Sequence, residues 1–416
     1  VKKTGSFECS DPLLNRIWEA GALTQSVNME DAYDDCVDRE RGLYALDTLI
    51  QYHVNLACFG DQRLMKRCLE LFDQSVHPSG LYRCVYPNAG DYILPDFALY
   101  VIDGFYSYFR HTGDAEFIRK CWPSITTDLS VFHALAGERA DLLLRADYPD
   151  GRVPGDKRIG FLGDGEHTNN TGINCLYSCL YLIALRGAET MAGAIGEEED
   201  AAALGQRIAR LEQAIPEAFW SAERGLFADN TDKTDFSPHA SLFAVKAGVA
   251  SAGQKEILRG SLPPLLTPFF KNGYDPAEGF AFTTSYGLYM LDGMYRLGLA
   301  ETAENVMRQG WGWFLAKGVK TTPELFSLDD SLCHAWSASP TYMLSRNLLG
   351  VNFDRDGQPD HILIDVRAGN VAWARGVYPH RLGDVRVAWH KEGGRIVYDE
   401  IRVPAGVSFE IGDGKM

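Results

Sequence analysis

The stretch FGDQRLMKRCLELF, residues 59–72, returns about fifty residues later as TGDAEFIRKCWPSI, residues 112–125. Both copies run Gly-Asp, then an apolar residue, then Cys: Gly60-Asp61…Leu64…Cys68 and Gly113-Asp114…Phe117…Cys121. Glycine reaches the backbone angles that end a helix, and aspartate accepts from the first free N–H groups of the next. Each copy therefore marks a helix-to-helix junction, and the repeat distance is one helical hairpin plus its connection. Helical periodicity extends outward from these junctions to about Leu349. It predicts helices over 11–29, 40–59, 62–75, 94–112, 114–134, 170–193, 198–219, 237–249, 253–266, 281–297, 299–317 and 334–349. Twelve helices in repeated hairpins predict a mainly α fold, an (α/α)6 toroid with six inner and six outer helices. A right-handed solenoid is the alternative, but it needs a cleaner repeat.

From about Val351 the pattern changes to alternation. HILIDVRAG, GDVRVAWHKEG and RIVYDEIRVPAG read as strands, and Gly393-Gly394 is a hairpin signal between two of them. The expected division is a toroid at 1–350 and a small β-sandwich-like domain at 351–416. Long connections at 76–93, 144–169, 221–236 and 267–280 are rich in Gly, Pro, Asp and aromatic residues. Loops of this length on a rigid scaffold are where binding groups concentrate.

Composition narrows the function. The 416 residues are 46% apolar, enough for a large core. A net charge of −16 with no Lys/Arg run argues against a nucleic-acid partner and leaves a neutral sugar open. Aromatic residues make up 12%: most belong to the core, and a few could stack on sugar rings. The nine cysteines are odd in number and irregularly spaced, which predicts reduced, mostly buried thiols and a cytoplasmic setting. No His/Cys cluster completes a zinc site. No apolar stretch has transmembrane length and no secretory leader pattern opens the sequence, so no membrane partner is expected. The chain begins at Val1, as a piece of a longer protein would.

The densest polar cluster is DAYDDCVDRERGLYALD, residues 31–47, with Asp31, Asp34, Asp35, Asp38, Glu40 and Asp47 beside Arg39 and Arg41. A helix from residue 40 would set Glu40 and Asp47 two turns apart on one face, about 10 Å along the axis. Crowded carboxylates raise the pKa of at least one of their number, as a general acid requires. The same pattern also suits a solvated helix start with ion pairs. A second segment, TTPELFSLDDSLCHAWSASP at 321–340, isolates Glu324 among neutral residues, with His334 and Trp336 at the next helix start. Such a carboxylate can activate water, or can be a satisfied loop residue. Asp91 and Asp96 among aromatic residues, FLGDGEHTNN at 161–170 and GFAFTTSYGLY at 279–289 could line subsites or simply pack helix ends.

Taken together, these segments resemble glycoside hydrolase family 78, the α-L-rhamnosidases. GSFECSDPLLNRIWEAG (5–21) is similar to the entry into that family's helical domain, and DCVDRERGLYALD (35–47) to its Asp-Cys-Pro-x-Arg-Glu pattern with a following aromatic and Asp. LPDFALYVIDGFYSYFRHTGD (94–114), SLCHAWSASPTYMLSRNLLGV (331–351) and GDVRVAWHKEGG (383–394) continue the likeness in order. The resemblance implies an inverting rhamnosidase with Glu40 as general acid and Glu324 activating the water. It implies Asp35 and Asp47 on the rhamnose hydroxyls, His334 against the sugar, and Arg39, Asp96 and Trp336 as further substrate contacts. The partner would be a rhamnoside, with no cofactor in the chemistry. An inverting pair of carboxylates stands about 6.5–9.5 Å apart to seat a water. The sequence departs from the pattern at Val37 for Pro, Leu46 for Gly, and Asp164-Gly165 for Asp-Trp. A toroid lyase cutting at rhamnose–uronate linkages and a non-catalytic sugar-binding relative are the competing readings.

Overall fold

The computed structural model describes residues 2–88, 93–146, 172–266, 283–353 and 355–412. Asp91, Asp164-Gly165, Glu166, His167 and Phe280 lie outside these residues.

The repeated junctions do what their residues dictate. Gly60 and Gly113 sit at φ 64° and 68°, where a side chain is disfavoured. Helix α5 (Ala115–Gly137) is capped by Asp114, whose Oδ1 accepts from Phe117 N at 3.1 Å, and Asp61 Oδ1 accepts from Arg63 N at 2.8 Å at the start of α3 (Arg63–Asp73). Both glycines also press on the C-terminal β region: a Cβ on Gly60 would lie 2.7 Å from Pro379 Cβ, and one on Gly113 3.0 Å from Gly357 O.

The helices form two rings. The inner ring is α2 (Ala45–Cys58), α4 (Pro95–Thr112), α6 (Cys175–Ile195), α8 (Pro238–Lys246), α11 (Gly287–Arg296) and α13 (Ser339–Met343). These touch in that order and α13 returns to α2, which closes the ring. Inner helices are buried along most of their length, as α2 is from Ala45 to Cys58 except at His53. The outer helices are α1 (Pro12–Val27), α3, α5, α7 (Glu198–Phe219), α9 (Ala252–Ser261) with the short α10 (Pro263–Leu266), and α12 (Ala300–Ala316). They bury one stripe: α3 buries only Met65, Cys68, Leu69 and Phe72, the three-and-four spacing of an amphipathic helix. The toroid expected from the periodicity is therefore the fold, and the solenoid is excluded by ring closure. Among the described residues no helix is long and apolar enough to cross a membrane.

A minor two-stranded ribbon, β2 (Trp220–Ser221) with β3 (Leu226–Phe227), follows α7. After the ring come β4 (Val351–Asn352), β5 (His361–Ile364), β6 (Trp373–His380), β7 (Gly383–Glu392), β8 (Arg395–Arg402) and β9 (Ser408–Ile411). One sheet runs β4-β5-β9, with β5 and β9 parallel. The other runs β1-β6-β7-β8, and its first strand, β1 (Ser6–Cys9), precedes every helix. This strand was not read from the sequence, and it crosses the expected division at residue 350. Gly393 and Gly394, both at positive φ (57° and 80°), make the β7–β8 turn, in keeping with the twist of two-residue hairpins. Sheet and ring are fastened by the buried Trp389, whose Nε1 donates to Leu348 O at 2.6 Å.

Candidate active site

The inner helices direct their N-terminal ends to one end of the ring. Asp47 stands in the first turn of α2, Asp96 in that of α4, and Trp336 in the 3-10 turn (Ala335–Ala338) that leads into α13. Two non-helical segments cross this end. One holds residues 28–44 and the other, residues 317–334, joins α12 to that turn. They are stitched together: Cys36 and His334 form an antiparallel bridge, and Ala335 N donates to Asp35 O at 2.9 Å.

His334 is the centre of the site. Its Nε2 lies 3.0 Å from Asp47 Oδ1, and its Nδ1 lies 3.6 Å from Glu324 Oε2 and 4.0 Å from Asp35 Oδ2. The Trp336 ring lies against it, centroids 4.3 Å apart. Burial opposes charge on the imidazole, but the Asp47 and Glu324 carboxylates outweigh it and raise its pKa to about 9. Burial pushes Asp47 up to about 6 against the pull of His334. Burial would also raise Glu324, yet the nearby His334 imidazolium and the Arg39 hydrogen bonds overcome it and hold the carboxyl at about 2.

Glu324 is fixed from both sides. Arg39 Nη2 lies 2.6 and 2.7 Å from its two oxygens, and Ser331 N donates to Oε2 at 3.3 Å. Its carbonyl accepts from Trp336 Nε1 at 2.7 Å and from the Thr284 hydroxyl. The same Arg39 nitrogen is 3.5 Å from Glu40 Oε1. The Glu40 and Glu324 carboxylates thus face each other across one guanidinium nitrogen. Glu324 is buried, whereas the Glu40 side chain is 43% exposed.

The expected helix from residue 40 is corrected. Helix α2 begins at Ala45, so Glu40 is a loop residue and does not share a helical face with Asp47. The cause is the Asp35 carboxylate: Gly42 N donates to its Oδ1 at 2.7 Å while Asp35 N donates to Gly42 O at 3.0 Å. This closes residues 35–42 into a loop, with Arg41 at φ 51° at its bend. The Glu40 N–H is taken by the Cys36 sulfur at 3.4 Å. Tyr44 caps this loop; its hydroxyl is pushed well above the ordinary range by burial first and the Glu40 carboxylate second.

Seven of the eight residues singled out from the sequence meet here: Asp35, Arg39, Glu40, Asp47, Glu324, His334 and Trp336. The eighth, Asp96, is fully buried, with neither carboxylate oxygen hydrogen-bonded, and burial holds its pKa well above the usual range. It shares the same end of the ring, but no hydrogen bond or ion pair among the described residues joins it to the His334 cluster. Ser331 and Cys36 were not read as site residues, and Thr284 was read only as part of the 279–289 segment that could line a subsite. They act through backbone or chain-to-backbone bonds that leave no mark in spacing. Tyr100 and Tyr286, whose hydroxyls are 3.3 Å apart, and His239, with its ring 5.5 Å from that of Tyr286, add an aromatic wall at helix starts. Asp35, Cys36 and His334 bring possible metal-ligating atoms within 4.8 Å of one another. They suit a cation poorly, because burial raises the Cys36 thiol and the carboxylates hold His334 protonated.

Comparison with known proteins gives this geometry a family. The family model described as the bacterial alpha-L-rhamnosidase 6 hairpin glycosidase domain matches residues 2–348. The family-78 rhamnosidase of Bacillus sp. GL1 is 26% identical, with a TM-score of 0.78 over 99% of this chain and 44% of that one. The Klebsiella oxytoca rhamnosidase with rhamnose bound is 24% identical, with a TM-score of 0.68 over 82% of this chain and 65% of that one. The Streptomyces avermitilis α-L-rhamnosidase complexed with L-rhamnose shares the fold at 18% identity and a TM-score of 0.78, over 98% of this chain and 38% of that one. The chain spans less than half the length of the Bacillus enzyme. A search of curated protein sequences gave no match. Since the matched span takes in the ring from its first helix to its last, the chain belongs to the family of bacterial α-L-rhamnosidase six-hairpin glycosidase domains.

Proposed function

We propose that the chain is an inverting α-L-rhamnosidase that removes terminal rhamnose by general acid–base catalysis, with Glu40 as acid and Glu324 as base. The observation that carries this reading is the pair of carboxylates facing each other across Arg39 above a floor of Asp35, Asp47 and His334. The nearest oxygens of the pair lie closer than the spacing of an inverting pair, so the departure of Arg39 has to widen the gap to seat the water. Glu40 is exposed on a loop, where a leaving group of variable size can reach it. Asp35 keeps a buried Oδ2 without a hydrogen-bond partner and Asp47 keeps one carboxylate oxygen clear of His334, which leaves acceptor capacity for sugar hydroxyls once Arg39 and its loop move aside.

The same geometry defines a step. A carboxylate held at about 2 by a guanidinium is a weak base. Arg39 also stands where the sugar and the water of a single displacement must go. Its side chain is half exposed on the 35–42 loop, and rhamnose entering between Glu40 and Glu324 displaces it. Freed of Arg39 and shielded from solvent, Glu324 becomes more basic and takes a proton from water as Glu40 gives one to the glycosidic oxygen. The lyase reading is less well supported, since the chain matches a family described by its rhamnosidase glycosidase domain. Proton NMR of the first sugar released from an α-rhamnoside tests the proposal: β-L-rhamnose first fits a single displacement, and α-L-rhamnose first removes Glu324 from the role of base.

A further inference from the structure

The other end of the ring holds a second polar cluster that the reaction does not use. A small cavity of about 80 Å³ lies where the C-terminal halves of α2, α4, α8, α11 and the segment after α13 converge, with Phe353 in its lining. On α2 it is lined by His53, six residues beyond Asp47, so it lies about 9 Å further along the ring axis. Four cations line it, Arg110, Lys246, Arg296 and Arg346, against two carboxylates, Asp103 and Asp292.

Asp103 lies in the field of Lys246 and Arg110, while Asp292 forms direct ion pairs with three of the cations. Arg346 Nη1 reaches its Oδ1 at 2.5 Å, while Arg296 Nε and Lys246 Nζ share its Oδ2 at 2.8 and 3.2 Å. Asp103 accepts from the Tyr289 hydroxyl at 2.9 Å and is raised by burial. Arg110 has the rim carboxylate of Asp356 at 3.2 Å, yet its Nε is buried with no hydrogen bond in a suitable direction. Cations favour helix C-termini, and Arg110, Lys246 and Arg296 each lie in a last turn. The carbonyls there are nevertheless already taken by backbone N–H groups: Phe109 O by Gly113, Phe243 O by Ala247, Gly293 O by Leu297. The two imidazoles present, His53 and His111, donate to carbonyls of their own helices and are pushed down to about 4 and about 3, by burial first, so neither supplies charge at neutral pH.

The cavity is thus a pre-formed, partly open pocket with surplus cationic N–H groups. We propose that it is a binding site for one small tetrahedral oxyanion of the phosphate or sulfate class, held by Arg110, Arg296 and Lys246 at the end of the ring remote from the catalytic cluster. Its volume decides the class: a ligand pocket for an organic molecule occupies roughly 300–1,000 Å³, and this one admits only an ion or a few waters. Guanidinium forks match the oxygen geometry of such an anion.

The test compares unfolding midpoints of the whole chain in 10 mM phosphate, 10 mM sulfate and sodium chloride at matched ionic strength, with titration calorimetry of phosphate. Binding raises the midpoint over chloride by about 2–4 °C, with one phosphate per chain. Arg296→Gln and Arg110→Gln, made separately so that one survives if the other folds poorly, each remove most of that increment. Equal midpoints in all three salts with no heat of binding overturn the proposal, as does an increment unchanged in both variants, which locates the anion elsewhere.

Discussion

Arg39 is bound to both proposed catalytic carboxylates, so its removal separates binding from chemistry. With the guanidinium gone, Glu324 loses one of the two partners that hold it low, and its pKa rises toward the ordinary carboxylate value. As pH falls, the base is then protonated earlier. In Arg39→Gln the acid limb of kcat/KM, which reports the free enzyme, should move to higher pH by about one unit or more. The acid limb of kcat should stay, because rhamnose has already displaced Arg39 in the complex. A pH–rate series on an aryl rhamnoside reads both; limbs that move together would place Arg39 against Glu324 throughout the cycle. Glu40 gives a second prediction. Glu40→Gln should lower kcat/KM on natural rhamnosides by about 10²–10⁴ and on aryl rhamnosides with good leaving groups far less, since those need little protonation. Equal losses would make Glu40 a positioning group. Both residues were legible in the sequence because DCVDRERGLYALD sets them side by side. The pairing of Asp47 with His334, 287 residues apart, was not, because only ring closure creates it.

At the scale of elements, the junction aspartates are the most informative. Asp114 caps α5 and at the same time accepts from Lys66 Nζ at 2.8 Å and from the Tyr108 hydroxyl at 3.1 Å, so one side chain joins α3, α4 and α5. Asp114→Ala should cost about 1–2 kcal/mol of stability, measurable by denaturant unfolding, while kcat stays within twofold. A large loss of activity would mean that this junction positions the far end of the ring. The Gly-Asp signal was readable because both residues act on their own neighbours. The start of α2 was misread for the complementary reason. Its apolar face continues the helical period, but the Asp35 carboxylate takes the Gly42 N–H, and a side-chain-to-backbone bond of this kind carries no periodicity. Strands β6 and β9 escaped similarly: β6 contains Pro379 and the turn-like ARGVYPH, and β9 is only four residues long.

For the whole molecule, ring and sheets depend on one another. Strand β1 lies against β6, Trp389 donates to the last helical segment, and both repeat glycines touch the β region. A chain ended after Leu349 would leave β1 without a partner and uncover Val351-side apolar surface. Such a truncation should lose cooperative unfolding and bind a hydrophobic dye, whereas the full chain unfolds in a single transition of ring and sheets. A truncated ring with native-like unfolding and activity would show that the sheets are an accessory.

The β1–β6 pairing also governs how the protein is made. Glu8 meets Arg375, 367 residues later in the chain. At about 5–20 residues per second, a ribosome needs roughly 20–70 s to deliver the partner of a strand made 367 residues earlier. Throughout that interval the edge of β1 that pairs with β6 stays open, although Phe7 has its Trp18 stacking partner close by in the chain. The growing chain therefore carries an unpaired strand edge throughout that interval, a ready template for pairing with another chain until ring and sheet close together.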